Sequence, residues 1–460
     1  MDQLLYLGPE AIQTGIWKVG KAAGLLWEEG NNVVFRDRGF RRVAGAAQQG
    51  PALGDQVRDL AQAYVAGTRR VYAGTDTDIE LYSLTGGVWA KSTLGTWPTA
   101  GTYADLETWG TWVVATNGVD PVKVWKNGGG LINLAGVPFS RAKVIKRKQP
   151  FLLAFNTNNI GDTAAEWSSD SDIEAWTASG ANKAGNYNLR DLESEILAVE
   201  DLGPRLAVYS RSSMTVGTFV GGGSVWGWQR AISGIGAVSR RSVVTLDPFN
   251  YGLTREGIFK TDGNSFVYVD DPAMNKYIKD TADFSREALF WGVRDTTLKC
   301  VTFYFQDASA AWHSVSYFPE MNFFTKGNLQ LTAAGPREVF DYPLVADEGL
   351  RLGYWQSGAQ FFGQDFSYSL KTRPLDFGNR TNSKIVQLIS VDGTWGAATG
   401  LRVRAHDDPE AAGTIVYDKA LVRENFFEWD SPFFSLEFYG SADVYVTAVE
   451  IFGALGGLVK

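Results

Sequence analysis

Carboxylates gather most densely in one stretch, EWSSDSDIEAW, from Glu166 to Trp176. Asp170, Asp172 and Glu174 alternate there as the oxygen ligands of a calcium loop do, but such a loop needs Gly at its sixth position and Glu at its twelfth. The chain has Ala175 and Ala181 at those places. A glycosidase pair of acids needs a second carboxylate close by and a supporting shell, and no second cluster of acids, arginines and tyrosines completes it. The residues favour a structural turn. Ser168, Asp170 and Asp172 are of the types that bond nearby backbone N–H groups, while Trp167 and Trp176 bury apolar area against a sheet.

Other candidates for chemistry are thin. His313 and His406 are the only histidines, too few for a histidine-rich zinc site and poor material for a Ser-His-Asp triad; His313, in AAWHSVSY, reads as a strand residue. Cys300 is the only cysteine, which excludes an intrachain disulfide and a cysteine metal cluster. GTFVGGGS, Gly217 to Ser224, has the spacing of a phosphate-binding loop with Gly223 where the lysine must stand, so it reads as a glycine turn. RAKVIKRKQP places Arg141, Lys143, Lys146, Arg147 and Lys148 in one run. That run is either a contact for a phosphate backbone or acidic partner, or a solvated strand face. No catalytic, cofactor or metal residue is assigned.

The 460 residues carry a formal charge of -8, the wrong sign for a protein that grips nucleic acid, though mild acidity suits a conduit past which DNA must slide. No apolar run reaches membrane length, and the N-terminus MDQLLYLGPEAIQ lacks the basic and apolar regions of a leader, so the chain is expected in the cytoplasm or a particle assembled there.

The elements behind these residues read as β-strands. Gly 51 and Trp 16 are high and Pro 15 low, a mix that suits tight turns joining aromatic strands. Period-2 alternation in short runs ended by Gly, Asn or Asp dominates. Runs beginning at Arg69, Thr111, Phe151, Arg205, Phe249, Leu298 and Leu350 share a strand-turn-strand form, with Gly257 and Gly263 as turn residues in one of them. Their spacing of roughly 40 to 55 residues is that of four-stranded blades. The expected fold is all-β: a β-propeller of six or seven blades over 1–365, whose segment 20–45 closes the ring, and a β-sandwich over 366–460. Generic hairpins in a sandwich are the competing reading. Two helices are expected to decorate the sheets: DQVRDLAQAYVAG, where Val57, Leu60, Ala61 and Tyr64 recur at helical spacing, and DPAMNKYIKDTAD.

EWSSDSDIEAW is also similar to the Asp-box turn of some propellers, S-x-D-x-G-x-x-W, with Ser168 and Asp170 matching, Asp172 in place of Gly, and Trp176 one position late. Taken in order, GNNVVFRDRGFRRVAG, EWSSDSDIEAW, NKAGNYNLRDLESEILAVEDLGPRLAVYSRSSMTVGTFVGGG and GIGAVSRRSVVTLDPFNYGLTREGIFKTDG resemble tail nozzle or tail hub proteins of short-tailed bacteriophages over most of residues 20 to 270. Two departures are Ser169, inserted between Ser168 and Asp170, and Arg38 before Gly39. The resemblance implies a non-enzymatic virion protein: a homo-oligomeric, hexameric ring below portal and adaptor. It would contact tail fibres or other tail components and let double-stranded DNA pass without sequence preference. The alternative is a carbohydrate-binding or glycan-processing propeller, with tryptophan platforms and polar contacts from Asp170, Asp172 and Glu174. A generic protein-binding propeller is a third reading.

Overall fold

Aromatic and β-branched runs cut by Gly, Asn and Asp turns favour antiparallel meanders. The computed structural model describes residues 2–8, 17–18, 26–36, 38–101, 103–179, 182–222, 224–269, 271–335, 337–378 and 382–458. Ala181, Gly223 and residues 20–25, which figured in the expectations above, lie outside them.

The described residues form an all-β, multi-sheet fold resembling β-propellers. Seven sheets follow one another as antiparallel meanders. Their first strands are Val57–Val65 (sheet I), Asp105–Trp109 (II), Ala142–Lys148 (III), Ala198–Leu202 (IV), Val243–Leu246 (V), Trp291–Asp295 (VI) and Leu331–Gly335 (VII). These first strands adjoin in sequence order, and that of VII adjoins that of I. Five of the seven runs singled out in the sequence cover both inner strands of one sheet; the Phe151 run supplies the single inner strand Phe151–Thr157, and the Leu350 run supplies Leu352–Trp355 but not the second strand expected of it. Sheet VII takes its fourth strand from far away, Ala46–Gln48 against Leu352–Trp355.

Two larger sheets make a second layer. Sheet VIII runs Glu424–Ser431, Asn382–Trp395, Val444–Leu458, Gly39–Arg42, Val33–Arg36, with Asp2–Leu7 also on Val444–Leu458. Sheet IX runs Trp27–Asn31, Tyr368–Thr372, Phe433–Gly440, Thr399–His406, Thr414–Ala420. Segment 20–45 was expected to close a propeller of six or seven blades by pairing with late strands. Its described strands do pair with late strands, Trp27–Asn31 with Tyr368–Thr372 and Gly39–Arg42 with Val444–Leu458, and so lie in sheets IX and VIII, where Trp27, Phe35 and Phe40 join the aromatic core. Trp27 and Phe40 pack at 5.6 Å, and Phe40 meets Phe438 at 5.3 Å. Pairing between sheet VII and the N-terminal part falls to Ala46–Gln48.

The same core runs on into sheets V and VI, where Phe35 meets Phe323 edge-on at 5.5 Å. Arg42, 4% exposed, ties three segments together by donating to the carbonyls of Ala359, Phe366 and Ser441 and pairing with Asp443 at 2.6 Å.

The expected helix at DPAMNKYIKDTAD is present as Pro272–Thr281, with Asp271 accepting from the Met274 N–H at 2.8 Å and Pro at the helix start. The other expected helix is corrected: Val57–Val65 is the first strand of sheet I. A bulge between Val57 and Asp59 shifts its alternation, and burial on both faces fills the remaining positions, so the pattern imitates a helix. Tyr64, counted on the helical stripe, is 66% exposed.

Candidate functional site

Residues from the first strands of all seven sheets line a polar cavity of about 300 Å³. Strand alternation turns every second side chain toward it or toward the neighbouring sheet, and charged residues occupy many of these places. Asp59 in sheet I accepts the backbone N–H of Leu106 in sheet II at 2.8 Å, and Asp105 in sheet II accepts that of Ile145 in sheet III at 2.8 Å. Both are Asp-Leu pairs one sheet apart. Each carboxylate also faces an arginine preceding sheet V: Arg241 pairs with Asp59, and Arg240 with Asp105 at 2.9 Å and Glu200 at 3.2 Å. Asp105 and Arg240 are 2% and 8% exposed.

The electrostatics follow from burial. Desolvation pushes the Asp105 carboxyl up, with Arg240 opposing it. Glu107 is pushed up to about 7, by desolvation first, with Lys146 lowering it and Asp105 adding to the rise. Burial alone would depress the Lys146 ammonium, but Glu200, Glu107 and Asp201, at 3.5, 3.8 and 3.4 Å, hold it above the usual lysine range. The wall is a neutralised ion network linking sheets II to V. Such networks specify which elements meet more than they add net stability.

This geometry accounts for the basic run. Ala142–Lys148 is the first strand of sheet III, and Lys143 pairs with Glu195 at 2.8 Å. Lys146 lies in the axial network. Lys148 pairs with Asp201 at 2.6 Å and donates to the Gly203 carbonyl at 2.7 Å. Arg147 donates to the Thr108 carbonyl at 2.8 Å, and the Arg141 side chain forms no bond among the described residues. Three of the five cations are therefore committed to carboxylates inside the chain, which leaves little to release counterions from a polyanion.

EWSSDSDIEAW leaves the third strand of sheet III as a compact turn. The Ser168 hydroxyl accepts the Leu152 N–H at 3.1 Å, the Ser169 N–H donates to the Ala175 carbonyl at 2.7 Å, and Asp172 accepts the Glu174 N–H at 2.8 Å. The indole N–H groups of Trp167 and Trp176 donate to the carbonyls of Lys183 at 2.8 Å and Ile173 at 2.6 Å. The turn fastens sheet III to sheet II: Trp176 packs edge-on against Phe139 at 5.3 Å, and Glu174 pairs with Lys126 at 2.6 Å. Gly136, at φ +70°, lies so close that a Cβ would stand 1.8 Å from the Glu174 carbonyl oxygen. Asp170 is engaged by Lys183 at 2.6 Å, a hydrogen bond that lowers its pKa. The four acids do not converge: Glu166, 1% exposed, is bonded to Thr157 and to Asn159.

The histidines form no catalytic relay. His406 has Ser435 on Nε2 at 2.8 Å and the Ala411 carbonyl on Nδ1 at 3.0 Å, so no carboxylate orients it and the 1%-exposed Ser435 is closed to substrate. His313 bridges Asp307 at 2.9 Å and Tyr277 at 3.3 Å with no nucleophile among these partners. GTFVGGGS leaves strand Ser213–Phe219 into a turn in which the Val220 N–H donates to the Val225 carbonyl at 3.0 Å. Among the described residues no group of three or more His, Cys, Asp or Glu side chains is placed to hold a metal ion, and no helix is long and apolar enough to cross a membrane.

The axial ion network was missed in the sequence. The recurring Asp-Leu of Asp59–Leu60 and Asp105–Leu106 was its signal, but its partners Arg240 and Arg241 stand far along the chain.

No protein-family profile and no curated protein matches the sequence. Among solved structures the fold is similar to the WD40 β-propeller domain of Doa1, at 10% identity and a TM-score of 0.45, over 68% of this chain and 95% of that one. It is also similar to YCF48 bound to D1 peptide, at 10% identity and a TM-score of 0.42, over 68% of this chain and 97% of that one.

Proposed function

We propose that the chain is a structural virion protein, a subunit of a tail nozzle ring of a short-tailed phage. In this reading sheets I–VII are the blades of a closed seven-bladed propeller and sheets VIII and IX a sandwich that joins one copy to the next. The nozzle identity rests on the sequence resemblance. The observation that carries self-assembly is an apolar row across the outer face of sheet VIII, where Phe426, Leu388 and Phe452 stand side by side on three strands. Phe426 is 61% exposed and lies on the edge strand Glu424–Ser431, whose Trp429 is 46% exposed. A free edge carrying large apolar groups is costly to leave in water and is ordinarily covered.

A cyclic ring of such subunits, six in this reading, would bury that row against a different patch of the next copy. DNA would pass through the lumen between copies and not through one subunit, because the axial cavity holds on the order of ten water volumes and is crossed by ion pairs. A lumen lined by an acidic chain would let DNA pass with little adhesion, since it offers few cations for counterion release. Portal, adaptor and fibres would dock on the remaining surfaces.

The glycan reading has one observation in its favour. Tyr187, 52% exposed, stacks on the half-buried Trp228 at 6.5 Å, and an exposed aromatic ring backed by a second is a surface on which a sugar ring packs. Sedimentation velocity of the wild type and a Phe426→Glu/Trp429→Glu double variant tests the assembly reading. A ring-sized species lost in the variant is expected; a wild-type monomer at every concentration up to the highest soluble one contradicts it.

A further inference from the structure

A cavity of about 1010 Å³ lies where sheets VI and VII meet the two-sheet layer. That is the size of a site for a drug-sized ligand, and a domain junction is where such sites concentrate. Its wall is largely apolar, with Val34 and Val43 from the N-terminal segment, Leu298 and Phe318 from around sheet VI, and Leu329 and Val345 from around sheet VII.

The carboxylates on the wall are already occupied. Asp295 accepts the N–H groups of Thr297 and Leu298, both at 2.8 Å, and the Gln356 amide. Asp443 is paired with Arg42 at 2.6 Å. The cations are not all occupied. Arg41, half-buried on strand Gly39–Arg42, forms no hydrogen bond or ion pair among the described residues. Arg42 is 4% exposed and keeps a buried Nε–H without a partner. Cationic donors inside apolar walls, with the local acids spent, call for an anion that brings an apolar body. A guanidinium presents a fork of N–H donors that matches a carboxylate.

We propose that this cavity binds a small free amphiphilic anion of the alkyl carboxylate class, its carboxylate on Arg41 and its chain among Val43, Leu298, Leu329 and Val345. Because the walls come from both layers, the bound acid stabilises their junction by mass action. The site is independent of the nozzle reading, and none of Phe426, Leu388 and Phe452 lines it.

The test is isothermal titration with dodecanoate below its micelle concentration, with dodecanol and phosphatidylglycerol vesicles as comparison probes and the melting temperature recorded alongside. Saturable binding of one dodecanoate per chain is expected, with a raised melting temperature, weaker binding of dodecanol, and no binding of the vesicles. Arg41→Gln weakens dodecanoate about tenfold or more, Arg41→Lys recovers part of the loss, and Ala44→Phe, which fills the cavity mouth, abolishes binding. Leu329→Trp serves the same purpose if Ala44→Phe does not fold. No saturable binding, equal affinity for dodecanol, full affinity in the folded cavity-filling variant, or binding to vesicles alone would overturn the proposal.

Discussion

The seven-sheet body and the two-sheet layer use the same strand chemistry to opposite ends. In the body most sheets are built from consecutive strands, and charge is neutralised around the axis, where Arg240, Asp105, Glu200 and Lys146 answer one another across sheets. In the layer, strands come from both ends of the chain and run longer, to 14 residues in Asn382–Trp395 and 15 in Val444–Leu458. Their apolar groups are not all covered, as Phe426 and Leu455 at 61% and 57% exposure attest. The contrast teaches where strands are drawn from, neighbours in sequence in the body and both ends of the chain in the layer; the covering of Phe426 and Leu455 by further copies belongs to the proposed assembly, since the body too exposes Val88 and Val119 at 70% and 59%.

The contrast is broken most severely by removing the N-terminal strands. Deleting residues 1–45 takes strands from both sheets of the layer and strips Trp27, Phe35 and Phe40 from the core shared with sheets V and VI. The expected product is insoluble, and a soluble β-rich product with a cooperative melt would count against the account. Next in size is Arg240→Met, which leaves Asp105 buried and unpaired at a cost of about 3–5 kcal/mol. Urea unfolding should show the lower midpoint with an unchanged slope, and the double variant Arg240→Met/Asp105→Asn, which removes the charge but keeps an acceptor for the Ile145 N–H, should recover most of the loss.

A smaller effect follows from the Glu107 carboxyl. Its pKa is raised to about 7 from an ordinary 4.5, so the folded chain binds that proton more tightly than the unfolded chain does. This group's stabilisation is complete below about pH 4.5 and is lost as pH rises through about 7. Compared with Glu107→Gln, the wild type should lose about 3 kcal/mol across that window, read from unfolding midpoints at each pH. A flat difference would contradict it. Asp172→Ala comes last: it removes one exposed turn bond to Glu174 and should lower the melting temperature by no more than about 2 °C. A fall several times larger would give the turn a role beyond fastening sheet III to sheet II.

Legibility in the sequence followed the same division. The runs from Arg69 to Leu298 announced their sheets because a hairpin's signals lie within a dozen residues, and DPAMNKYIKDTAD announced its helix because apolar spacing is also a local signal. Val57–Val65 was misread because a bulge and burial on both faces erase the period-2 signal. The fate of the N-terminal segment and the pairing of Asp59 and Asp105 with Arg241 and Arg240 depend on partners far along the chain, which no local pattern carries. Three of the five cations of Arg141 to Lys148 looked available for the same reason: the carboxylates that hold Lys143, Lys146 and Lys148 come from outside their own sheet.

The central claim is that the layer is completed by further copies of the chain. Single-particle electron microscopy of the purified protein tests it most directly. The account predicts closed rings with rotational symmetry, six-fold in the proposed form, a central lumen wide enough for duplex DNA, and the outer face of sheet VIII buried between neighbours. Solitary particles whose only axial opening is the small charged cavity, with Phe426 and Trp429 still facing solvent, would contradict it.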